Sequence, residues 1–359
     1  TKTIIGATFI DLSKAFDTCS HNILTEKLKR YGIKNNELLL LKSYLCDRFQ
    51  CVKVGNLMSH MLSVTNGVPQ GSILGPLLFL VYINDFPSYM KSKCILYADD
   101  TTLITSHRDF SVVDILNKNI LRKANAWLDI NKLTINENKT NEIIFSLNST
   151  CVKSVKLLGI HLDSKLNWES HTEKLCVRLS RVIYLLRKLK LNTQFKFLIQ
   201  AYFAFFHSIL NYGVLLWGNS TGSKQVFILQ KKAVRCIIGI NKMESCRNHF
   251  KNLKIMTLPC LFILQSLLYV KDNLNSLNLR SDFHSYDTRQ KDLIDNGFTR
   301  LNKVQVSFKY VGLKLFNMLP PNSQNINKNK FKNKLQDWLI KHAFYSIEEF
   351  IMCKDVILF

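Results

Sequence analysis

The chain is poor in glycine and lacks several signals that would assign it to a compartment. Glycine occupies 13 of 359 positions, so no flexible glycine-rich linker marks a domain boundary. No signal peptide or internal repeat is visible. The cysteines lack the paired short spacings of a zinc site or a disulfide framework, so we expect free, buried thiols in a reducing intracellular compartment. The ten cysteines are Cys19, Cys46, Cys51, Cys94, Cys151, Cys176, Cys236, Cys246, Cys260 and Cys353.

The chain also lacks a clear membrane-spanning segment. Its longest uncharged stretch, residues 197–223, is long enough to cross a bilayer. Within this stretch a narrow polar stripe recurs at helical spacing, formed by Gln200, Ala204, His207 and Asn211. We therefore predict a helix that is buried on most of its surface in a helical domain, and no membrane partner.

Negative charge is scarce and unevenly distributed. The chain holds 49 Lys and Arg against 26 Asp and Glu, a formal net charge of +23. Residues 1–150 contribute +4 of this charge and residues 151–359 contribute +19. The strongly basic second part suits a phosphate backbone, although an anionic membrane surface attracts the same charge. The length supports two or three domains, and 47% apolar residues suffice for folded cores.

The most informative motif is the pair Asp99-Asp100, which lies between two apolar, β-prone runs. This pattern predicts a hairpin with a two-residue acidic turn and both carboxylates at its tip. Because adjacent carboxylates repel each other, a bound cation is the functional interpretation, and plain turn chemistry is the alternative. A third acid, Asp11, ends another apolar run. Three acids at strand ends can hold two Mg²⁺ ions that clamp a transferring phosphoryl group.

Five segments resemble, in order, the palm motifs of a reverse transcriptase, in particular that of non-LTR (LINE-like, jockey-type) retrotransposons. They are residues 9–17 (FIDLSKAFD), 67–76 (GVPQGSILGP), 97–100 (YADD), 138–140 (NKT) and 158–163 (LGIHLD). The resemblance implies an RNA-directed DNA polymerase that acts in the nucleus and extends a DNA primer on an RNA template with deoxynucleoside triphosphates (dNTPs). A catalytically inactive, nucleic-acid-binding remnant of a retroelement is the alternative. The oligomeric state is not indicated.

The resemblance also implies which residues carry the chemistry. The family's ligands for two Mg²⁺ ions are matched by Asp11, Asp99 and Asp100. Lys139 matches the position proposed as proton donor to the leaving pyrophosphate, with a solvated surface lysine as the alternative. Two further acids are interpreted structurally, Asp17 as a helix-start residue and Asp163 as a turn residue.

Three further positions match the family's nucleotide-binding residues. Phe16 matches the bulky side chain that excludes a ribose 2′-hydroxyl, although an isolated phenylalanine here also fits a core position. Gln70 and Gly71 match the segment under the incoming nucleotide and template base, where glycine permits close approach of the backbone. Residues 67–76 also fit an ordinary turn that opens a helix.

The order of the elements predicts an α+β fold. A right-hand polymerase palm, with a ferredoxin-like antiparallel sheet and helices, is expected over residues 1–163. We predict strands at 3–12, 142–146 and 155–162, a hairpin pairing 50–54 with 62–65, and helices at 21–31, 36–45, 77–83 and 112–128. Ser20 is expected to cap the first of these helices and Gly32 to end it.

A helical, thumb-like region is predicted over residues 164–255, followed by a basic C-terminal region over residues 256–359. Its best helices cover 169–189, 194–212 and 224–238. The first of them carries basic faces that are expected to track a primer and template duplex, with a plain solvated face as the alternative. The residues concerned are Arg178, Arg181, Arg187, Lys188 and Lys190.

The resemblance is incomplete at the N-terminal side. Asp11 lies ten residues from the first residue of the sequence, whereas in the family the fingers, which hold the triphosphate with basic residues, precede this motif. We therefore expect a fragment or degenerate copy that lacks the fingers and the upstream endonuclease but keeps the catalytic acids.

Overall fold

Strands lie in the first half of the chain and helices dominate the second. A computed structural model describes residues 3–146, 152–283 and 291–353. The strands within these ranges are β1 Ile4–Ile10, β2 Phe49–Gln50, β3 Lys53–Val54, β4 Leu57–Met58, β5 Leu62–Ser63, β6 Lys93–Tyr97, β7 Asp100–His107, β8 Asn141–Phe145, β9 Ser154–Leu157 and β10 Ile160–Asp163.

The chain divides into two units. The first comprises residues 1–159 with 163–166, and the second comprises residues 160–162 with 167–359. Both predicted regions, 164–255 and 256–359, thus lie almost entirely within the second unit. The boundaries proposed at residues 163 and 255 stay predictions.

The first unit is built on a four-stranded antiparallel sheet in the order β6-β7-β1-β8. The central strand β1 pairs with β7 on one side and with β8 on the other. Its residues from Gly6 to Ile10 are buried, as expected for an apolar strand that is covered by neighbours. The predicted α+β class with an antiparallel sheet is confirmed.

The helices of the first unit include those that the sequence predicts, in the same order. They are α1 Ala15–Thr18, α2 His21–Arg30, α3 Asn35–Leu45, α4 Leu74–Ile83, α5 Phe86–Met90 and α6 Phe110–Ile130. The long helix α6 contacts β1 and β7 and begins after Asp109, whose carboxylate accepts a hydrogen bond from Ser111 N. Gly6 allows this close packing, because a Cβ there would lie 2.5 Å from Oδ1 of Asn117 on α6.

The predicted cap of α2 differs from the structure. Ser20 occupies the N-cap position, but its side chain makes no capping hydrogen bond. Its backbone N–H instead donates to the buried hydroxyl of Tyr82 at 3.2 Å, a contact that anchors the start of the helix but does not satisfy the N–H groups of its first turn. The other end agrees with the prediction, because Gly32 has the left-handed φ of +90° that ends the helix.

Residues 48–64 form a narrow antiparallel arm. Two short ladders build it, with β2 paired to β5 and β3 paired to β4. The predicted pairing of 50–54 with 62–65 is therefore confirmed only at the base of the arm, because residues 53–54 pair instead with 57–58. β9 and β10 form a separate two-stranded sheet, since the chain reverses within the segment predicted as 155–162.

The second unit is helical from residue 169 onward, apart from an isolated bridge between Leu279 and Ile294 in the described residues. Its α-helices are α7 Glu169–Asn192, α8 Phe195–Ala201, α9 Ser208–Asn211, α10 Val214–Trp217, α11 Ser223–Ile238, α12 Arg247–Asn252, α13 Leu258–Asp272, α14 Asn302–Gln305, α15 Phe308–Asn317, α16 Pro321–Gln324, α17 Lys328–His342 and α18 Ile347–Met352. A π-helical turn, Tyr202–His207, joins α8 to α9, and short 3-10 turns cover Leu274–Ser276 and Arg280–Asp282. α13 is buried along most of its length and contacts α15 and α17.

The uncharged stretch 197–223 is not one long helix. It includes part of α8, the π-helical turn, α9 and α10, with a left-handed glycine at Gly213. No helix in the described part of the chain is long and apolar enough to cross a membrane. The predicted burial on most of its surface is wrong, because only one face of residues 195–211 is buried. That face is formed by Leu198, Tyr202, Phe206 and Leu210.

The cysteines agree with the expected free thiols where the structure describes them. Burial holds only for Cys19, Cys246 and Cys260, whereas Cys46 is exposed and the remaining described thiols are half-buried. Cys151 lies outside the described residues.

Candidate active site

The register of the sheet brings two of the predicted metal-binding acids together. β1 and β7 run antiparallel with Ile10 opposite Thr101. Because Asp11 follows Ile10 and Asp100 precedes Thr101, the same register sets these two acids opposite each other at one edge of the sheet. Both line a small cavity of about 60 Å³ together with Lys139.

The acidic hairpin differs in one respect from the predicted geometry. Tyr97 pairs with Asp100, so the two turn residues are Ala98 and Asp99. Ala98 has the left-handed φ of +54° that the reversal requires. Only Asp99 therefore lies at the tip, while Asp100 is the first residue of β7. This placement turns Asp100 toward its neighbour across the sheet, Asp11.

The three acids share an electrostatic environment. Partial burial raises the pKa of the Asp100 carboxyl, and the charges of Asp99 and Asp11 raise it further. Each negative charge therefore makes ionisation of Asp100 more costly, which is the condition that a cation would relieve. Even so, no three His, Cys, Asp or Glu side chains in the described ranges are arranged to hold a metal ion. The acids fit a cation by charge, but they do not form a ready-made cage.

Lys139 lies beside the acids, as the motif order implies. Its Nζ is 3.6 Å from Oδ2 of Asp11, although the lysine side chain is largely exposed. The backbone explains the approach, because Asn136 N donates to Asp11 O at 2.8 Å and Lys139 N donates to Asn136 O at 3.1 Å. Sequence reasoning missed Lys156, which lines the same small cavity from β9 and has no motif of its own.

Phe16 and Gln70 lie on two segments that are tied together. Val68 N donates to Phe16 O at 2.7 Å, and Gln70 Nε2 donates to Oδ1 of Asp17 at 2.7 Å. The ring of Phe16 is half-buried with its centroid 4.6 Å from that of Phe79. Phe16 thus occupies the edge of the core, a position compatible with both interpretations of this residue.

Close packing of the backbone excludes a side chain at Gly67 but not at Gly71. A Cβ at Gly67 would lie 2.8 Å from the backbone of Asp17, and its φ is +90°. Gly71 also has a left-handed φ, of +76°, but nothing lies within 4 Å of a Cβ added there. The space above Gly71 is open, so its predicted role under a nucleotide stays a prediction.

The predicted nucleic-acid-binding residues are all exposed on α7 in the second unit. The opposite face of this helix is buried through Leu175, Leu179, Ile183 and Leu186 among others. Two of the cations are engaged within the unit. Lys190 Nζ donates to Cys236 O at 2.9 Å, and Lys188 Nζ lies 5.6 Å from the ring centroid of Tyr184. Both lysines keep their positive charge, but their ammonium groups already have a partner, so we expect Arg178, Arg181 and Arg187 to offer most of the hydrogen-bond donors for a phosphate.

Comparison with known proteins agrees with the motif order. Residues 1–162 match the family described as "Reverse transcriptase (RNA-dependent DNA polymerase)". The chain therefore contains a reverse transcriptase domain. This domain covers the four-stranded sheet and all three acids, whereas the basic helix α7 lies beyond the match.

Proteins similar to this chain include polymerases of retrotransposons. The RNA-directed DNA polymerase from mobile element jockey of Drosophila melanogaster is 28% identical over 281 residues, covering 70% of this chain and 30% of the relative. The probable RNA-directed DNA polymerase from transposon BS of Drosophila melanogaster is 30% identical over 272 residues, covering 66% and 29%. The chain thus spans about 30% of the length of these relatives.

Solved structures also show similarity to this chain. A telomerase from Candida albicans in complex with a TWJ fragment of telomeric RNA aligns with 14% identity and a TM-score of 0.36, over 70% of this chain and 47% of its own. The apo telomerase from Candida tropicalis aligns with 14% identity and a TM-score of 0.37, over 71% and 50%.

Proposed function

We propose that the first unit is the polymerase centre of a non-LTR retrotransposon reverse transcriptase. It would join a dNTP to the 3′-hydroxyl of a DNA primer on an RNA template and release pyrophosphate. The observation that carries this proposal is the β1–β7 register, which brings Asp11 opposite Asp100 and one residue from Asp99.

Asp11, Asp99 and Asp100 would hold two Mg²⁺ ions. The raised pKa of Asp100 supports this assignment, because the neighbouring charges that cause it are those a cation would offset. Bound ions of this kind activate the attacking hydroxyl and stabilise charge on the transferring phosphoryl group. The protein's own part is to keep three carboxylates at one sheet edge through backbone hydrogen bonds that do not depend on the ions.

The remaining roles concern the nucleotide and the nucleic acid. Lys139, beside Asp11, would donate a proton to the leaving pyrophosphate. Phe16 would exclude a ribose 2′-hydroxyl, and Gln70 with Gly71 would lie under the incoming nucleotide. The exposed cations of α7 would contact the phosphates of the primer and template duplex. Because the chain is similar to retrotransposon polymerases, we propose that the protein acts in the nucleus. Immunofluorescence of the expressed chain would test this location.

Primer extension on an RNA template tests the proposal. We expect Asp99→Asn to lower extension by at least about a hundredfold, because a lost metal ligand removes several kcal/mol of transition-state stabilisation. Asp114→Asn is the matched control, since Asp114 is an acid of the same unit that pairs with Lys118 on α6. Equal activity of the wild type and Asp99→Asn, with both folded by circular dichroism, would reject the assignment.

A nucleic-acid-binding remnant without turnover is the second candidate. It is favoured by the lack of a ready-made metal cage in the described residues together with the charge of +19 on residues 151–359. This candidate predicts tight RNA binding that weakens steeply with salt, and no Mg²⁺-dependent extension at any dNTP concentration. Extension that Asp99→Asn abolishes would exclude it.

A further inference from the structure

One exposed face of the second unit is aromatic and uncharged. It lies on residues 195–216 and carries six large apolar side chains that are each between 39% and 56% exposed. These residues, which we call the aromatic face, are Phe195, Phe197, Phe203, Phe205, Tyr212 and Leu216. Residues 197–223 contain no Asp, Glu, Lys or Arg, the longest such run in the second unit. Single exposed apolar residues are ordinary, but a group of six in an uncharged run indicates a contact surface.

Packing within the unit holds the backbone of this face in place. The buried rings of Tyr202 and Phe206 stack with their centroids 5.3 Å apart. The ring of Phe203 contacts this core edge-on, with its centroid 5.6 Å from that of Tyr202 and 5.3 Å from that of His207. The π-helical turn that carries Phe203 and Phe205 is therefore fixed on its inner side. Rings on a fixed backbone lose little conformational freedom when a partner covers them.

Covering the aromatic face would bury no charge. Burial already lowers the pKa of the His207 imidazole, so this side chain is neutral at physiological pH. The hydroxyl of Ser208 donates to the carbonyl oxygen of Ala204, which gives both groups a partner within the chain. A contact here therefore avoids the cost of desolvating an ion.

The sequence of the segment fits burial on more than one side. Its apolar pattern predicts a helix covered on most of its surface, whereas within one chain only the side with Leu198, Tyr202, Phe206 and Leu210 is covered. A partner on the aromatic face would remove this difference. Nucleic acid is a poor partner for this face, because binding to phosphates relies on Lys and Arg, and residues 197–223 have neither.

We infer that the aromatic face of one chain packs against the same face of a second copy, so that the protein is a two-fold dimer in solution. Such a contact sets a surface against itself, and this face offers both bulky rings and, between them, the small exposed residues Ala204 and Ser208. Each apolar side chain exposes roughly 100 Å², so the six supply most of the roughly 800 Å² that each partner of a standard interface buries.

The charge of the chain also favours this face. Two copies that each carry +23 repel each other, and a face without cations is where the second units can meet with least repulsion. The inference concerns assembly and does not depend on the proposed polymerase function.

Sedimentation velocity of the full, nuclease-treated chain over a concentration series tests the inference. We expect a monomer–dimer equilibrium with a Kd of roughly micromolar size. Phe197→Glu and Phe205→Glu should each raise this Kd by at least about a hundredfold, because the two-fold contact would bury two unpaired carboxylates. The two positions lie on different elements, α8 and the π-helical turn, so a folding defect in one variant leaves the other to decide.

Leu57→Glu is the matched control, since Leu57 is an apolar residue of the 48–64 arm that is 80% exposed. It makes the same change of charge in the first unit, and its Kd for dimerisation should equal that of the wild type. Phe205→Leu should keep most of the affinity, because it retains an apolar side chain. Circular dichroism and thermal unfolding of each variant identify any general loss of structure.

Salt provides an independent measurement. Added salt should strengthen the dimer, because it screens the repulsion between two positively charged chains while the apolar contact persists. Association through residual nucleic acid would weaken as salt is added.

Three results would overturn the inference: a wild-type chain that stays monomeric throughout the series, a dimer that Leu57→Glu dissociates but Phe197→Glu and Phe205→Glu do not, or glutamate variants that weaken RNA binding without changing the sedimentation. The last result would assign the aromatic face to nucleic acid. A dimer that depends on Phe197 and Phe205, in a chain whose primer extension does not respond to Asp99→Asn, would support the inference and reject the polymerase centre.

Discussion

The acidic sheet edge and the basic face of α7 concentrate charge in opposite ways. Asp11 and Asp100 are 89 positions apart in the sequence, and only the register of β1 with β7 brings them together. The arginines of α7 belong to one helix, where spacing alone sets them on the solvent side. At the acidic sheet edge, the pKa of the Asp100 carboxyl is raised. The exposed cations along α7 are instead solvated. A site that depends on register is therefore sensitive to small backbone changes, and a helix face is not.

The largest effect on activity should come from substituting the acids at the sheet edge. Asp11→Asn is expected to lower primer extension about as severely as Asp99→Asn, by roughly a hundredfold or more. The double variant, which combines Asp11→Asn with Asp99→Asn, should lose little primer extension beyond either single variant. Residues that bind the same metal ions act as a unit. Single-turnover extension of the three variants measures this.

The control for this experiment is Asp129→Asn, which removes an exposed acid at the end of α6 and should keep wild-type activity. Losses that multiply in the double variant would show that Asp11 and Asp99 act independently. That result would contradict a shared metal site at the sheet edge.

The second effect concerns the loop packed beside the acidic motif. Gly67→Ala should destabilise the fold by about 2–4 kcal/mol, because the new Cβ would clash with the Asp17 backbone at a left-handed φ. Gly71→Ala should cost only about 1 kcal/mol, since it has a similar φ but open space around it. Urea unfolding measures the loss of stability in each variant and so compares steric contact with backbone strain. Equal losses of stability in the two variants would mean that the contact with Asp17 is unimportant.

Much of this architecture followed from periodicity and motif order. The predicted strands at the acidic edge and the helices α2, α3, α6, α7 and α11 agree with the structure to within a few residues, because each has an apolar pattern of one period. Contacts between distant segments could not be read in this way. Lys14, in the motif that contains Asp11, and Arg48, at the base of the 48–64 arm, line one cavity, and no local pattern encodes that arrangement.

Other differences have the same origin. Local spacing indicated a polar stripe on residues 194–212 but not how many neighbours would cover the remaining surface, so burial was overestimated. The hairpin was predicted correctly, but the choice of Ala98 rather than Asp100 as a turn residue depends on the pairing of Tyr97 across the two strands. Side-chain chemistry was thus easier to predict than the exact register.

A smaller effect should follow from neutralising the basic face of α7. Arg178→Gln and Arg181→Gln should each weaken RNA binding severalfold and reduce the slope of log K against log salt by about one, because each removes one phosphate contact. Lys190→Gln should have less effect on binding, since its Nζ already donates to Cys236 O. Fluorescence anisotropy over a salt series measures the three variants. A slope that no arginine variant changes would assign α7 to the solvated alternative.

The smallest effect concerns the cost of the acidic edge to stability. Asp100→Asn should raise Tm at neutral pH by roughly 1 °C, a small amount because the carboxyl is only partly buried. Burial and the charges of Asp99 and Asp11 raise the pKa of this group, so the folded state disfavours its ionised form. The stabilising effect of Asn should therefore be absent below the ordinary carboxyl range and appear as the pH rises through it.

Asp109 provides the opposite case within the same unit. Hydrogen bonds from the side chain and backbone of Ser111 lower the pKa of its carboxyl, so Asp109 stabilises the fold above the ordinary carboxyl range, and this contribution is lost as the pH falls. Asp109→Ala should accordingly lower Tm at neutral pH, while Asp100→Asn raises it. Calorimetric scans from acid to neutral pH would show the two trends diverging. If Asp100→Asn instead lowered Tm at neutral pH, the carboxylate of Asp100 would be a stabilising group, and the repulsion among the three acids would not be the cost inferred from their arrangement.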